Sequence, residues 1–144
     1  TTIAYRNGII AYDSRATRGD IIATDNREKA VEKKGVTFIL SGRQDHIDAL
    51  IALWFGEEIE ITPNAHGPVI CDDVLWEIGY EDEFIKLLFE TDGYYAFGSG
   101  DLHALTAMDL GASAVEAVEM AMKRDVYTGG EIRTRSIIST LDKG

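Results

Sequence analysis

Residues 8–19 read GIIAYDSRATRG, an apolar half followed by a polar half that ends at a glycine. The first half, residues 8–12, is apolar on both faces, which predicts a strand in the middle of a sheet. Residues 2–6 are predicted to form another strand, and Asn7-Gly8 after it is a strong signal for a tight hairpin. The polar half predicts a structured loop. The chain therefore begins with two antiparallel strands, the second of which leads directly into Asp13.

Three stretches carry the signals of helices. Apolar residues at helical spacing predict the first helix over residues 46–55. The second is predicted over residues 102–110, with Asp101 as its N-cap. Residues 113–116, Ser-Ala-Val-Glu, form a capping box that opens a third helix running to about Arg124.

The rest of the regular structure is predicted to be strand. Residues 57–73 are the least regular stretch, because prolines and glycines interrupt them. Hairpin-connected strands and separate helices together predict an α+β fold, in which helices cover antiparallel sheets. The predicted strands after the first hairpin are residues 21–23, 29–33, 36–40, 74–80, 84–89, 94–97 and 132–141.

Composition limits the class of protein. A chain of 144 residues is expected to form one domain, residues 1–144, with a full hydrophobic core. Its net charge of −11 argues against nucleic acid as a partner. The apolar stretch at residues 49–55 is too short for a membrane span, and no signal peptide is recognisable. Cys71 is the sole cysteine, so we expect a cytoplasmic protein without an intrachain disulfide.

No cofactor is predicted. His46, His66 and His103 are far apart and lack the spacing of metal ligands. The acidic residues between positions 72 and 83 match no calcium-loop pattern, and a solvated acidic surface is the simpler interpretation.

Thr1 opens the sequence, and we expect it to carry a free α-amino group next to its side-chain hydroxyl. A hydroxyl and an amine on one residue can act as nucleophile and general base. Because an α-amine has an ordinary pKa of about 7.7–8.0, a usable fraction is unprotonated at neutral pH. A threonine in this position is equally what removal of an initiator methionine would leave, so Thr1 alone does not establish a catalytic role.

Five further motifs follow Thr1-Thr2 along the chain: Asp13 with Arg15-Ala16-Thr17 and Gly19, Lys29, Ser41-Gly42, Gly98-Ser99-Gly100, and Arg124-Asp125 with Thr128-Gly129. Taken together with Thr1, they resemble the mature β-subunit of the proteasome and the related bacterial peptidase that works with a ring ATPase. The resemblance extends over nearly the whole chain and keeps the order of the family's motifs. Thr128 replaces the serine that is usual in the last of them.

The resemblance implies a threonine peptidase with Thr1 as its nucleophile. Lys29 would orient the hydroxyl of Thr1 and lower the proton affinity of the amine, since a like charge disfavours its protonated form. Asp13 would be the counter-ion of a buried Lys29. The backbone N–H of Gly42 would stabilise the oxyanion of the tetrahedral intermediate. The alternatives are that Asp13 is an ordinary turn carboxylate, Lys29 a solvated lysine and Gly42 a plain turn glycine.

Three later residues are implied to support the amine. Ser99, Asp125 and Thr128 would form a hydrogen-bonded group around it that holds the amine and relays protons. Helix capping and turn chemistry are the alternative for all three. A threonine in place of the usual serine keeps the hydroxyl but stiffens the side chain.

The resemblance also implies a fold, the four-layer αββα sandwich of the N-terminal-nucleophile (Ntn) hydrolases. Two antiparallel sheets lie between layers of helix in that fold. A typical β-subunit has two long helices between the positions of Gly42 and Ser99, whereas this sequence predicts one short helix there. We therefore expect a shortened helical layer.

The leading hypothesis is an endopeptidase that cleaves peptides or unfolded protein within a ring-like homo-oligomer. An ATPase unfoldase ring as partner is implied by the resemblance alone. Two alternatives stay open. One is a catalytically silent subunit that keeps the fold for assembly, and the other is a small-molecule amidase on the same fold.

Overall fold

We describe the protein from a computed structural model that covers residues 1–138. Its regular elements are β1 (Ile3–Arg6), β2 (Ile9–Tyr12), β3 (Ala16–Arg18), β4 (Ile21–Thr24), β5 (Ala30–Lys33), β6 (Val36–Ile39), β7 (Ser41–Gly42), α1 (Gln44–Trp54), β8 (Ala65–Cys71), β9 (Val74–Glu81), β10 (Glu83–Leu88), β11 (Tyr95–Phe97), α2 (Asp101–Asp109), α3 (Ala114–Met122) and β12 (Arg133–Ser136). They fall into two compact units, one formed by residues 1–29 and 90–138, the other by residues 30–89. None of the described helices is long and apolar enough to cross a membrane.

The first unit is built on a four-stranded antiparallel sheet with the order β11-β1-β2-β12. The predicted hairpin is confirmed, with positive φ angles at both Asn7 (53°) and Gly8 (80°), the geometry that joins two strands in the tightest way. The central position predicted for β2 is also confirmed. Strands β3 and β4 form a separate hairpin, so the predicted loop before Gly19 is partly strand.

Helices α2 and α3 pack on one face of this sheet through small side chains. Ala4 and Ala11 of the sheet meet Ala104 and Ala117 of the helices in one buried cluster, together with Met108. Alanine on both sides allows a close approach, and each buried apolar group contributes in proportion to the area removed from water, about 25 cal/mol per Å².

The start of α3 is confirmed and the start of α2 is not. Ser113 and Glu116 form the predicted capping box. Asp101 was predicted to be the N-cap of α2 but is its first helical residue, and the N-cap is Gly100. A Cβ at Gly100 would lie 2.0 Å from the hydroxyl of Thr2, so close packing at this point excludes any side chain.

The second unit holds a six-stranded antiparallel sheet with the order β10-β9-β8-β6-β5, and β7 pairs with β8. Helix α1 buries Leu50 and Ile51 in a cluster with Phe38, Val69 and Ile78 of the sheet. The predicted helix over residues 46–55 is confirmed with a start two residues earlier.

Two strand predictions need correction. The stretch 57–73 was predicted to be irregular, but it contains β8, a seven-residue strand inside the sheet. The final strand was predicted over residues 132–141. It is β12, Arg133–Ser136, and residues 139–141 lie outside the described part of the chain.

Candidate active site

Lys29 and Asp13 lie against the hydroxyl of Thr1. The Lys29 ammonium donates to Thr1 Oγ1 at 2.9 Å and to Asp13 Oδ1 at 2.7 Å. The side chain of Lys29 is 9% exposed and that of Asp13 is fully buried. Burial lowers the pKa of Lys29, while the charge and the hydrogen bond of Asp13 act in the opposite direction and favour the ammonium. A cation in contact with the hydroxyl oxygen stabilises the alkoxide character that a nucleophilic attack requires.

Asp13 is held at the end of β2 by backbone N–H groups. Its Oδ1 accepts from the N–H of Thr2 at 3.1 Å, and its Oδ2 accepts from Arg15 at 3.3 Å and from Gly129 at 3.0 Å. With the Lys29 ammonium, both oxygens have two donors each. Four donors therefore satisfy the hydrogen-bonding capacity of this buried carboxylate, which is what burial of a polar group requires.

The α-amine that Thr1 carries in this structure has two acceptors. It donates to Ser99 Oγ at 3.1 Å and to the Tyr127 carbonyl oxygen at 2.8 Å. Burial and then the charge of Lys29 lower the pKa of the amine, whereas Asp13 and Asp125 partly offset that shift. More of the amine is therefore unprotonated at neutral pH than in a free chain.

Ser99, Asp125 and Thr128 form one hydrogen-bonded group beside the amine. Asp125 Oδ2 accepts from Ser99 Oγ at 2.6 Å and from Thr128 Oγ1 at 2.5 Å, and Oδ1 accepts from the N–H of Tyr127. Burial raises the pKa of Asp125, but these hydrogen bonds outweigh it and hold the pKa below its ordinary value. Thr128 thus makes the hydroxyl–carboxylate contact that a serine would make there.

Thr2 connects Asp13 with the hydrogen-bonded group that contains Thr128. No role was predicted for it from the sequence. It is fully buried. Its N–H binds Asp13, and its hydroxyl lies 2.8 Å from Thr128 Oγ1. Since the single hydroxyl proton of Thr128 goes to Asp125, Thr2 is the donor in that contact.

Tyr127 was also missed. It contributes its carbonyl to the amine, and its phenol donates to Asp20 at 2.7 Å. A main-chain carbonyl leaves no trace in the residue type, so no sequence signal could have identified it. For Thr2, the signal available was a polar β-branched residue directly before an apolar strand.

Arg15 fixes the loop that carries Tyr127. Its guanidinium donates to both carboxylate oxygens of Asp25, at 2.8 and 3.1 Å, and to the Val126 carbonyl at 3.0 Å. A Cβ at Gly129 would lie 2.5 Å from the Arg15 guanidinium carbon, so any side chain there would displace the guanidinium group. Arg15 therefore holds the loop both by its hydrogen bond to Val126 and by its contact with Gly129.

Gly42 belongs to the second unit. It forms β7 with Ser41, and it pairs with Ala65 of β8. Its φ is +146°, and a Cβ would lie 2.8 Å from the Asn64 carbonyl oxygen. Glycine is therefore required at this position for a local reason. The oxyanion role of Gly42 stays a prediction.

Comparison with known proteins by sequence found neither a matching family profile nor a matching curated protein. Comparison by structure found eukaryotic HslV from Trypanosoma brucei, with a TM-score of 0.71, 20% identity, and coverage of 94% of this chain and 98% of that chain. BPH from Thiobacillus denitrificans is similar at 16% identity, both in complex with epoxomicin (TM-score 0.66, coverage 95% and 98%) and without it (0.65, 96% and 98%). These likenesses confirm the predicted proteasome-type α+β fold.

Proposed function

We propose that this chain is a threonine-type endopeptidase with Thr1 as its N-terminal nucleophile. One observation carries the proposal: the Lys29 ammonium bonds both the Thr1 hydroxyl and Asp13, next to an α-amine whose pKa is lowered. The shared fold supports it, because HslV is a proteasome-like subunit of an ATP-dependent protease and BPH is a bacterial proteasome homologue.

The proposed reaction begins with attack by Thr1 Oγ1 on a peptide carbonyl. The hydroxyl proton passes to the α-amine of the same residue, and the carbonyl oxygen becomes an oxyanion. Collapse of this intermediate breaks the C–N bond, the amine returns the proton to the leaving nitrogen, and an ester on Thr1 remains. Water then attacks the ester with the amine again as base, which releases the acid and restores the hydroxyl.

Each neighbouring residue has a defined role in the proposed reaction. Lys29 stabilises the developing alkoxide and keeps the amine unprotonated, and Asp13 keeps Lys29 charged. Ser99, Asp125 and Thr128 hold the amine in place through both proton transfers. Gly42 supplies the backbone N–H for the oxyanion, where one such donor is worth about 10²–10³ in kcat.

The proposed setting is a ring-like homo-oligomer in the cytoplasm that acts on peptides or unfolded protein. The basis for the ring and for an ATPase unfoldase partner is the likeness to proteasome-type proteins. Mass photometry of the purified protein tests the assembly, and a monomer at working concentration would contradict it.

The central test compares Thr1→Ala with Thr106→Ala, a control that removes an exposed threonine hydroxyl from α2. Hydrolysis of fluorogenic peptides is expected to stop in the first variant and to be unchanged in the second, with the thermal midpoint preserved in both. Full activity of Thr1→Ala would refute the proposal.

Epoxomicin provides a second test, because BPH has been solved in complex with it. An epoxyketone presents two adjacent electrophiles, which a residue with both a hydroxyl and a free amine can attack. We expect an adduct on Thr1, located by mass spectrometry of the N-terminal peptide. The same spectrum shows whether Thr1 has a free α-amine in the working protein, as the mechanism requires. An oligomer with neither adduct nor hydrolysis would instead indicate a silent subunit, and cleavage of simple amides without peptides would indicate an amidase.

A further inference from the structure

Lys29 sits at the end of a segment without regular structure. Residues 25–29 connect β4 to β5 and contribute to no strand or helix. Backbone hydrogen bonds are made at residues 25–27, ahead of Lys29: the Asp25 carbonyl accepts from Ser14 Oγ at 2.9 Å, the N–H of Asn26 donates to Thr24 Oγ1, and that of Arg27 donates to the Ser14 carbonyl at 2.8 Å. The position of the Lys29 ammonium therefore depends on side chains that hold this segment.

Glu28, the residue before Lys29, makes one of the side-chain contacts that hold this segment. Tyr12, fully buried, donates its phenol to Glu28 Oε1 at 2.6 Å. Tyr12 directly precedes Asp13, and Glu28 directly precedes Lys29. Two consecutive residues at the end of β2 thus hold two consecutive residues of the segment.

Two arginines of β12 lie on the other oxygen of Glu28. Arg133 Nη1 and Arg135 Nη2 are 3.9 and 3.8 Å from Oε2. They stand two residues apart on one strand and so share a face of the sheet, and Arg133 pairs with Tyr12 in the register. Arg133 also donates to Asn26 Oδ1 on the same segment.

The two arginines oppose movement of the Glu28 carboxylate away from them. Arg133 Nη1 and Arg135 Nε are buried and have no hydrogen-bond partner within residues 1–138, so the Glu28 carboxylate is the anion that offsets their charge there. Moving Glu28 away would leave these two buried nitrogens without their nearby anion, which is unfavourable even though the side chains are 19% (Arg133) and 35% (Arg135) exposed.

We propose that Tyr12 and Glu28 are positioning residues that place the Lys29 ammonium where it reaches Asp13 and Thr1 Oγ1 together. The inference deepens the proposed function and rests on it. Lys29 makes contacts of 2.7 and 2.9 Å in two directions, and a shift of about 1 Å breaks one of them.

Tyr12→Phe is the primary variant, because it keeps the buried ring, removes only the hydroxyl and changes no charge. Tyr94→Phe is the matched control: its phenol also donates to a carboxylate, Asp109, but far along the chain from the segment. We expect Tyr12→Phe to lower kcat for a fluorogenic peptide and the rate of epoxomicin labelling by about 10–100-fold, with KM within about 2-fold of wild type. Tyr94→Phe should match wild type.

The titration of the Thr1 α-amine gives a readout that needs no turnover. Its pKa can be measured from the pH dependence of reductive methylation at Thr1. Lys29, Asp13, Asp125 and Arg15 are the charged groups that act on the amine, and of these only Lys29 lies on the segment. Displacement of the lysine should therefore raise the pKa of the amine in Tyr12→Phe.

Glu28→Gln separates displacement from simple electrostatics. Removing a nearby negative charge by itself would lower the pKa of the amine, whereas displacement of Lys29 would raise it. A rise in both variants supports the proposal. An unchanged amine pKa and unchanged kcat in Tyr12→Phe, with only the thermal midpoint lowered, would overturn it. Failure of the proposed function is distinct, because it would appear in the wild-type protein as hydrolysis independent of Thr1.

Discussion

Replacing Asp13 by asparagine should uncouple the buried ion pair with almost no change of shape. Asparagine has one carbonyl oxygen, so whichever way it turns, its NH₂ group faces two N–H donors that now share a carboxylate oxygen. The favoured orientation keeps the oxygen on Lys29 and loses the hydrogen bonds from Arg15 and Gly129.

The magnitude follows from these contacts. Two lost hydrogen bonds cost about 1 kcal/mol each, and the loss of a charged acceptor for Lys29 adds about 1.5–3 kcal/mol. The sum, about 3.5–5 kcal/mol, lies within the range of about 3–5 kcal/mol that breaking a buried ion pair usually costs. Lys29 also loses the largest influence that raises its pKa, so a smaller fraction stays charged. We expect epoxomicin labelling of Thr1 to slow by about 10²–10³-fold.

The assay is urea denaturation at one fixed protein concentration, because oligomer stability depends on concentration. Asp13→Asn, Lys29→Met and the double variant form a cycle. Each single variant leaves a buried charge unpaired and the double variant leaves none, so the double loss should be smaller than the sum of the single losses by about 1–3 kcal/mol.

Additive losses within about 0.5 kcal/mol would refute this reasoning, since they would show that the two groups do not interact in the folded protein. Asp45→Asn is the control. It breaks an exposed pair with Arg43, and a much smaller loss is expected.

Four further predictions concern the same framework. Thr2→Val keeps the shape of the side chain but leaves Thr128 without its donor, and should lower stability in urea by about 1–2 kcal/mol and slow labelling. Thr128→Ser should retain peptide hydrolysis and Thr128→Val should lose most of it, because the contact with Asp125 needs only the hydroxyl. The acidic limb of the pH profile of kcat/KM should lie below pH 8.0, since protonation of the amine stops the reaction and burial lowers its pKa; a limb at or above 8.0 would contradict this. Gly67→Ala should lower the free energy of unfolding in the same urea assay by about 1–3 kcal/mol or more, because φ is +154° and a Cβ would lie 2.4 Å from a carbonyl oxygen. Gly79→Ala is the control, since its Cβ would meet nothing closer than 3.6 Å.

Local signals in the sequence were sufficient for the first hairpin, for α1 and for the start of α3. They failed for β8, because Gly67 and Pro68 resemble strand breakers. On one side the strand pairs with β7 at Ala65 and His66 and with β6 at Val69 and Ile70, so the proline lies between those two ladders. On the other side it pairs with Glu77 of β9, and no sequence pattern reveals such a change of neighbouring strand.

The resemblance indicated the motif residues and how they group around Thr1, but it did not indicate every contact that the structure shows. Thr1, Asp13 and Lys29 stand together in the structure, as do Ser99, Asp125 and Thr128. The sequence could not predict the Tyr127 carbonyl, which depends on a loop held by Arg15. Nor could it predict the contact between Tyr12 and Glu28, because it depends on how an irregular segment folds back.

The hydrogen bonds of the Thr1 amine have a consequence for protein synthesis. Its acceptors are 98 and 126 residues away in sequence, and Asp13 takes one of its donors from Gly129. A nascent chain therefore lacks the groups that orient the amine until residue 129 has left the ribosome and the first unit has folded. If Thr1 is the nucleophile, the nascent polypeptide stays inert until the first unit has folded, and its chemistry begins only then.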